Sequence, residues 1–274
     1  MSERTIQNGT VELAVREAGA GPVLVWGHGL VSSMASEDAL DWFDWSAMSA
    51  TARLLRYDAR GHGQSGAAGT PEEYHWRVQG QDMLAVAGQL NAPRFIAAGA
   101  SMGAMSALYA ALLAPERVTA LVLVIPPTIW DSRKAQAAQY QMTARAGRIL
   151  GAAALTGMMQ RSLARSLPHW LVEAEARQLQ GAALGLQGLA RRTLWNLFRG
   201  TALSDLPPPG ALAPLAAIPA LILGWDGDAT HPVASAELLH RLLPQSELFI
   251  AVDYAGFKTI ARRMREFVDA QRSD

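Results

Sequence analysis

The chain has 274 residues, half of them apolar and only 18% charged, with Lys+Arg and Asp+Glu both at 24 and hence no net charge. A length of this order suits one large domain or a domain with an insertion, and the zero charge argues against a phosphate-backbone partner, which needs a basic excess. The absence of cysteine excludes disulfide scaffolds, thiolate metal sites and a cysteine nucleophile, and it leaves the redox compartment open.

The N-terminus, Met1-Ser2-Glu3-Arg4-Thr5, is polar and has no apolar stretch behind a basic start, so no signal peptide is expected. Runs such as Leu121 to Ile125 stop far short of the ~20 residues of a membrane span; the expectation is a cytoplasmic protein with no membrane partner. In chain order, strands are predicted at Val11–Val15, Val23–Trp26, Arg53–Tyr57, Phe95–Ala98, Ala120–Ile125, Ala220–Leu223 and Leu248–Val252. Several are continuous apolar runs, the pattern of a parallel sheet covered on both faces. Helical spacing lies between them at Pro71–Leu90, Met102–Leu113, Val233–Leu243 and Ala255–Ala270, and alternating strands and helices indicate an α/β fold. The rhythm breaks between Pro126-Pro127 and Pro207-Pro208-Pro209-Gly210. Only Ala, Leu, Gln and Arg at helical spacing occupy that interval, so residues 127–209 are expected to form a helical cap, or lid, inserted in a core made of 1–126 and 210–274.

Six histidines, His28, His62, His75, His169, His231 and His240, are available for acid–base work. The chemically richest segment is Gly99-Ala-Ser101-Met-Gly103, between an apolar strand and a helical run. In G-x-S-x-G a tight strand-to-helix turn strains the serine backbone, and the small residues on either side let the helix pass close to the strand. The hydroxyl is thereby presented at a helix N-terminus, where developing negative charge is favoured.

Three more segments stand in register with this one: Trp26-Gly27-His28-Gly29-Leu30 after an early strand, Asp58-Ala59-Arg60-Gly61-His62-Gly63-Gln64-Ser65, and Leu223-Gly224-Trp225-Asp226-Gly227-Asp228 followed by His231-Pro232. Taken together they resemble the α/β-hydrolase superfamily, in its capped esterase, lactonase and perhydrolase-like branch, over residues 10–130 and 210–270. The resemblance implies an α/β-hydrolase fold, a mostly parallel sheet flanked by helices with a helical cap. It implies Ser101 as nucleophile, the backbone N–H groups of Leu30 and Met102 as the oxyanion hole, and Asp228 as the carboxylate orienting a base, in preference to Asp226, whose spacing to Pro232 is wrong.

The family's histidine follows the last strand. Here Leu248 to Thr259 contains none, and serine is a weak nucleophile without a base. His28 and His62 match positions that are usually structural, His240 belongs to a solvated helix face, and His75 to the surface. His169 could hang over the site from the cap. His231, three residues past Asp228, can serve only if its loop turns the ring toward Ser101; it is the candidate base, beside the reading that no ordinary base exists. Three functions stay open: a serine hydrolase of a small, mainly apolar ester or lactone with an atypical or absent base, a lyase or isomerase using the same scaffold, and a ligand-binding protein. Persistence of the serine, its glycines and the oxyanion turn favours the first.

The pocket is expected to use His28, Trp130 and Trp225, near strand C-terminal ends, with Met34, Met102, Tyr140 and Met142 as further lining. No cofactor is expected, since no G-x-G-x-x-G follows the first strand, and no metal, since the histidines lack ligand spacing. The expected partner is a small-molecule substrate, and a homo-oligomer stays open.

Overall fold

The computed structural model describes residues 2–181 and 184–273. Eight strands form one sheet: β1 (Ser2–Asn8), β2 (Val11–Ala18), β3 (Val23–Gly27), β4 (Arg53–Tyr57), β5 (Phe95–Ala100), β6 (Val118–Val124), β7 (Ala220–Trp225) and β8 (Ser246–Ala251), in the spatial order β1-β2-β4-β3-β5-β6-β7-β8. The β1–β2 and β2–β4 pairs are antiparallel; all others are parallel. Alternate side chains feed two separate cores. Leu24, Trp26, Ile96 and Ala98 point to one face, and Val25, Ala97 and Leu121 to the other. Every residue of β5 and of β7 is buried, which is why these strands are continuous apolar runs rather than alternating ones. β1 is the exception that composition hides: only Ile6 is buried in that polar edge strand.

Helices α3 (Trp76–Gln89), α4 (Met102–Leu113) and α9 (Val233–Leu242) cover one face, and α2 (Trp45–Thr51) and α11 (Ile260–Ala270) the other. Two helices lie outside the sequence expectation. α1 (Met34–Leu40) and α2 are seven residues each, started by the side-chain caps of Ser33 and Asp44; so short a run carries almost no periodicity. The helical stretch expected from Pro71 begins as a 3₁₀ turn, Glu72–Tyr74, and becomes α3 at Trp76, with His75 capping it through Nδ1. Likewise the last helical stretch is split into α10 (Tyr254–Phe257) and α11.

Among the described residues no strand lies between β6 and β7. That interval holds α5 (Arg133–Leu150), α6 (Ala152–Ser166), α7 (His169–Ala174) and α8 (Arg191–Leu203). These helices stand against loops at the strand C-terminal ends. Gly200 of α8 is pressed on Pro71 and Tyr74, and Gly185 on the backbone of Ser32, so closely that a Cβ at either would meet a carbonyl oxygen. In the order β4-β3-β5 the chain passes from β3 to β4 on one side and then crosses to β5 on the other, so the ends of β3 and β5 flank a crevice of the kind in which open α/β sheets bind ligands.

Candidate active site

Ser101 follows β5 directly and opens α4 with φ 52° and ψ −111°, a conformation that costs energy and persists only where packing enforces it. The enforcement is visible at the two glycines. A Cβ on Gly103 would overlap the Gly27 carbonyl oxygen, and one on Gly99 would overlap the Gly103 carbonyl. α4 therefore crosses β3 and β5 at backbone contact, and Ser101 is thrust out at the turn. Gly29 approaches from the β3 loop, its Cβ position 3.6 Å from the Ser101 Cβ. Leu30 follows Gly29, and the Met102 N–H, first of α4, has no acceptor within the helix.

The loop after β7 supplies the rest. Asp228 is buried, its side chain 1% exposed. Its Oδ1 accepts the backbone N–H groups of Thr230 (2.9 Å) and His231 (3.1 Å), an Asx-type turn that folds the loop back on itself. Its Oδ2 accepts from the Trp225 indole N–H at 3.2 Å and from His231 Nδ1 at 2.7 Å. The carboxylate can only accept, so the ring proton sits on Nδ1 and Nε2 is left with its lone pair. That Nε2 lies 2.8 Å from Ser101 Oγ. Thr128, just past β6, donates its N–H to the Thr230 carbonyl and pins the tip of the loop.

Electrostatics agree with this chain of bonds. Burial by itself would raise the Asp228 pKa; the charge and hydrogen bond of His231, with the Thr230 N–H and the Trp225 indole, outweigh it and hold the carboxylate below its ordinary range. A carboxylate, an imidazole and a hydroxyl joined in this order can draw the proton from the hydroxyl as it attacks an electrophile.

The other histidines are accounted for elsewhere. His28 accepts the Ala59 N–H at Nε2 and donates from Nδ1 to the Gly29 carbonyl. His62 receives the Val31 N–H and donates to the Arg60 carbonyl, and burial, helped by His28, pushes its pKa down to about 3. The two rings meet edge to face and tie the β3 loop to the β4 loop behind Ser101. His240 bonds Ser246 rather than standing free on a solvated face. His169, one candidate for a position over the site, is 87% exposed and beside Glu173, on the outer surface. Asp226 receives the Trp170 indole at 3.4 Å and does not meet His231.

Three expectations for the pocket need correction. His28 and Trp225 are each 1% exposed and have no surface to give a ligand. Their polar atoms are spent on Ala59, Gly29 and Asp228, so they shape the site from behind. Met142 is 60% exposed and faces outward from α5. Trp130 is half-buried, its backbone N–H on Asp205 and its indole on the Pro207 carbonyl, a clasp between the two ends of the helical interval. Met34 and Met102 are buried, and Tyr140 packs beneath Arg133 and beside Phe198. What the sequence did not disclose is the Trp225 bond to Asp228. The only signal for it was an indole three residues before the acid.

Comparison with known proteins agrees with the fold. A family model described as alpha/beta hydrolase fold matches residues 22–257. The structure of a thermophilic esterase from Thermogutta terrifontis superposes with a TM-score of 0.81 at 18% identity, covering 100% of both chains. That of the enol-lactonase from Burkholderia xenovorans LB400 does so with 0.76 at 21% identity, covering 98% of both. Two curated relatives match over part of their length. A Haemophilus influenzae protein whose name includes esterase/lipase is 32% identical over 103 residues, 38% of this chain and 33% of the relative. The bifunctional epoxide hydrolase 2 of Sus scrofa is 30% identical over 122 residues, 43% of this chain and 20% of the relative.

Proposed function

The chain belongs to the α/β-hydrolase family, and from that premise we propose that it is a serine hydrolase of small, mainly apolar esters or lactones, with His231 as its general base. The observation that carries this reading is the continuous run of bonds from Asp228 Oδ2 through His231 to Ser101 Oγ, at 2.7 and 2.8 Å. Ser101 Oγ attacks the substrate carbonyl carbon while Nε2 takes its proton. The oxygen that becomes negative is received by the Leu30 and Met102 N–H groups, donors of a kind worth ~10²–10³ in rate each. The imidazolium, steadied by Asp228, then protonates the departing alcohol, and a water activated by the same nitrogen releases the acyl group. In a lactone, alcohol and acyl group are one molecule and leave together.

The helical interval 127–209 serves as the cap over this centre. Support comes from its clasp at Trp130, from the contact of Pro168 with Gly227 in the loop bearing Asp228, and from the Trp170 bond to Asp226. The structural neighbours, an esterase and an enol-lactonase, fit the substrate class.

Incubation with a fluorophosphonate followed by intact mass tests the proposal. One adduct is expected on the native chain and none on Ser101→Ala, with p-nitrophenyl acetate turnover lost in the same variant. An unlabelled native chain whose turnover survives Ser101→Ala would overturn it.

A further inference from the structure

The helical interval has a charge that the whole-chain balance conceals. Residues 127–209 hold ten basic side chains against four acidic ones in a protein with 24 of each, and from 132 to 172 there is no aspartate or glutamate at all. The same stretch exposes Met142 (60%), Ile149 (67%), Leu150 (48%) and Met158 (44%); elsewhere among the described residues only Leu203 and Val252 are large, apolar and comparably open.

These features fall on two helices that touch each other. On α5, Met142, Arg145 and Ile149 are spaced three and four apart and so lie on one helix face, while Ala144 and Gly147 are buried on the other, Gly147 against Leu194 and Leu155. On α6, Met158, Arg161 and Arg165 repeat the spacing, with Leu155 buried at one flank of that face. α5 and α6 are neighbours, separated by Gly151 alone. Arg148 is occupied over the Trp195 ring, whereas Arg145, Arg161 and Arg165 have no carboxylate partner among the described residues.

We propose that the outer face of α5 and α6 docks on an anionic lipid surface, with Met142, Ile149, Leu150 and Met158 entering the headgroup boundary and Arg145, Arg161 and Arg165 meeting lipid phosphates. Basic residues interleaved with large apolar ones on one helix face are what a helix lying in the plane of an interface requires, and arginine stems can lie along the apolar layer with the heads outward. A bare nucleic-acid site would have no use for the four apolar side chains. A two-fold dimer through this face would set unpaired arginines against each other, which costs rather than gains. The absence of a spanning segment, from which no membrane partner is expected, does not bear on peripheral docking: no helix among the described residues is long and apolar enough to cross a bilayer, and none needs to be.

Vesicle flotation tests this with the full chain, phosphatidylcholine vesicles and equimolar phosphatidylcholine/phosphatidylglycerol vesicles. Flotation with the anionic vesicles and release by salt are expected. The triple variant R145Q/R161Q/R165Q should weaken binding about 100-fold, since each basic residue near such a surface contributes about 1 kcal/mol. The double variant I149S/M158S should weaken it about tenfold or more. Both variants should keep native turnover of dissolved p-nitrophenyl acetate and an unchanged melting curve, which separates lost docking from lost folding. Failure to float with anionic vesicles at low salt overturns the proposal, as does binding that ignores the arginine substitutions. Equally tight binding to polyglutamate, or a dimer that I149S/M158S dissociates in place of any flotation, assigns the face to an acidic protein or a second copy and overturns it too.

Discussion

Two turns leave neighbouring parallel strands at the same edge of the sheet, and they divide their work unequally. The turn after β7 holds a buried carboxylate and an imidazole three residues apart, the carboxylate bonded to the ring and the ring to Ser101. The turn after β8, where family resemblance places the base, is only Val252 and Asp253 before α10 begins. Asp253 caps that helix by accepting the Gly256 N–H at 2.7 Å, and Tyr254 reaches up to Glu175. On the proposed function, the difference teaches that a base is defined by its reach to the serine oxygen rather than by the strand it follows. Asp228 does two jobs in this arrangement. Its Oδ1 bends the loop by accepting Thr230 and His231 backbone N–H groups, and its Oδ2 then receives the ring that the bend has brought back.

The largest expected effect tests this division outright. His231→Ala should lower kcat for p-nitrophenyl acetate by about 10⁶-fold, as removal of a triad base does in serine hydrolases, with fluorophosphonate labelling slowed in parallel. Mutation of any other histidine should have no effect of that order. If His231→Ala retained turnover within tenfold of native, the comparison between the two turns would collapse and the base would have to be sought elsewhere.

A smaller effect sharpens the role of the β7 turn. Trp225→Phe keeps a ring against Trp42 and Phe257 while deleting one donor to Asp228 Oδ2. A hydrogen bond to a charged group supports roughly a tenfold fall in kcat, with KM little changed. The sign of the pH effect follows from the carboxylate. Its pKa is depressed in the folded protein by donors that include this indole, so deleting one donor raises it. Loss of activity through protonation of Asp228 should therefore begin at higher pH in the variant. By the same linkage, the stability that ionised Asp228 lends the fold is present above the ordinary carboxylate range. It is lost as pH falls through the folded pKa, sooner in the variant.

How much of this could be read from the residues depends on what each signal encodes. Strands buried on both faces announce themselves as apolar runs, and β4 and α4 have the predicted limits. Ser101 is legible because only glycine tolerates the backbone contacts at 99 and 103. β1 is illegible because an exposed edge strand needs no apolar pattern. The direction of the His231 ring is a further kind of unknown: the spacing Asp228-x-x-His231 is plain in the sequence, but the turn that aims the ring depends on a side-chain-to-backbone bond that spacing does not specify. Trp225 and His28 mislead for a related reason. A residue at a strand's C-terminal end can face either the crevice or the layer beneath it, and composition does not distinguish the two.

The smallest effect tests whether the β8 turn has been relieved of chemistry altogether. Tyr254 Oη donates to Glu175 Oε1 at 2.5 Å, and that bond, with some burial and the Glu175 charge, holds the phenol above its ordinary pKa, so it stays a donor throughout the working range. Glu175 is only 4% exposed, so Tyr254→Phe leaves a buried carboxylate oxygen short of a partner. The cost should appear in the melting temperature, a fall of about 2 °C or more for a chain of this size. kcat and the rate of fluorophosphonate labelling should not move, because nothing in the Asp228, His231 and Ser101 relay touches this tyrosine. A tenfold loss of kcat at unchanged stability would instead mean that the turn after β8 still acts on the reaction, through its bond to Glu175 in the helical interval.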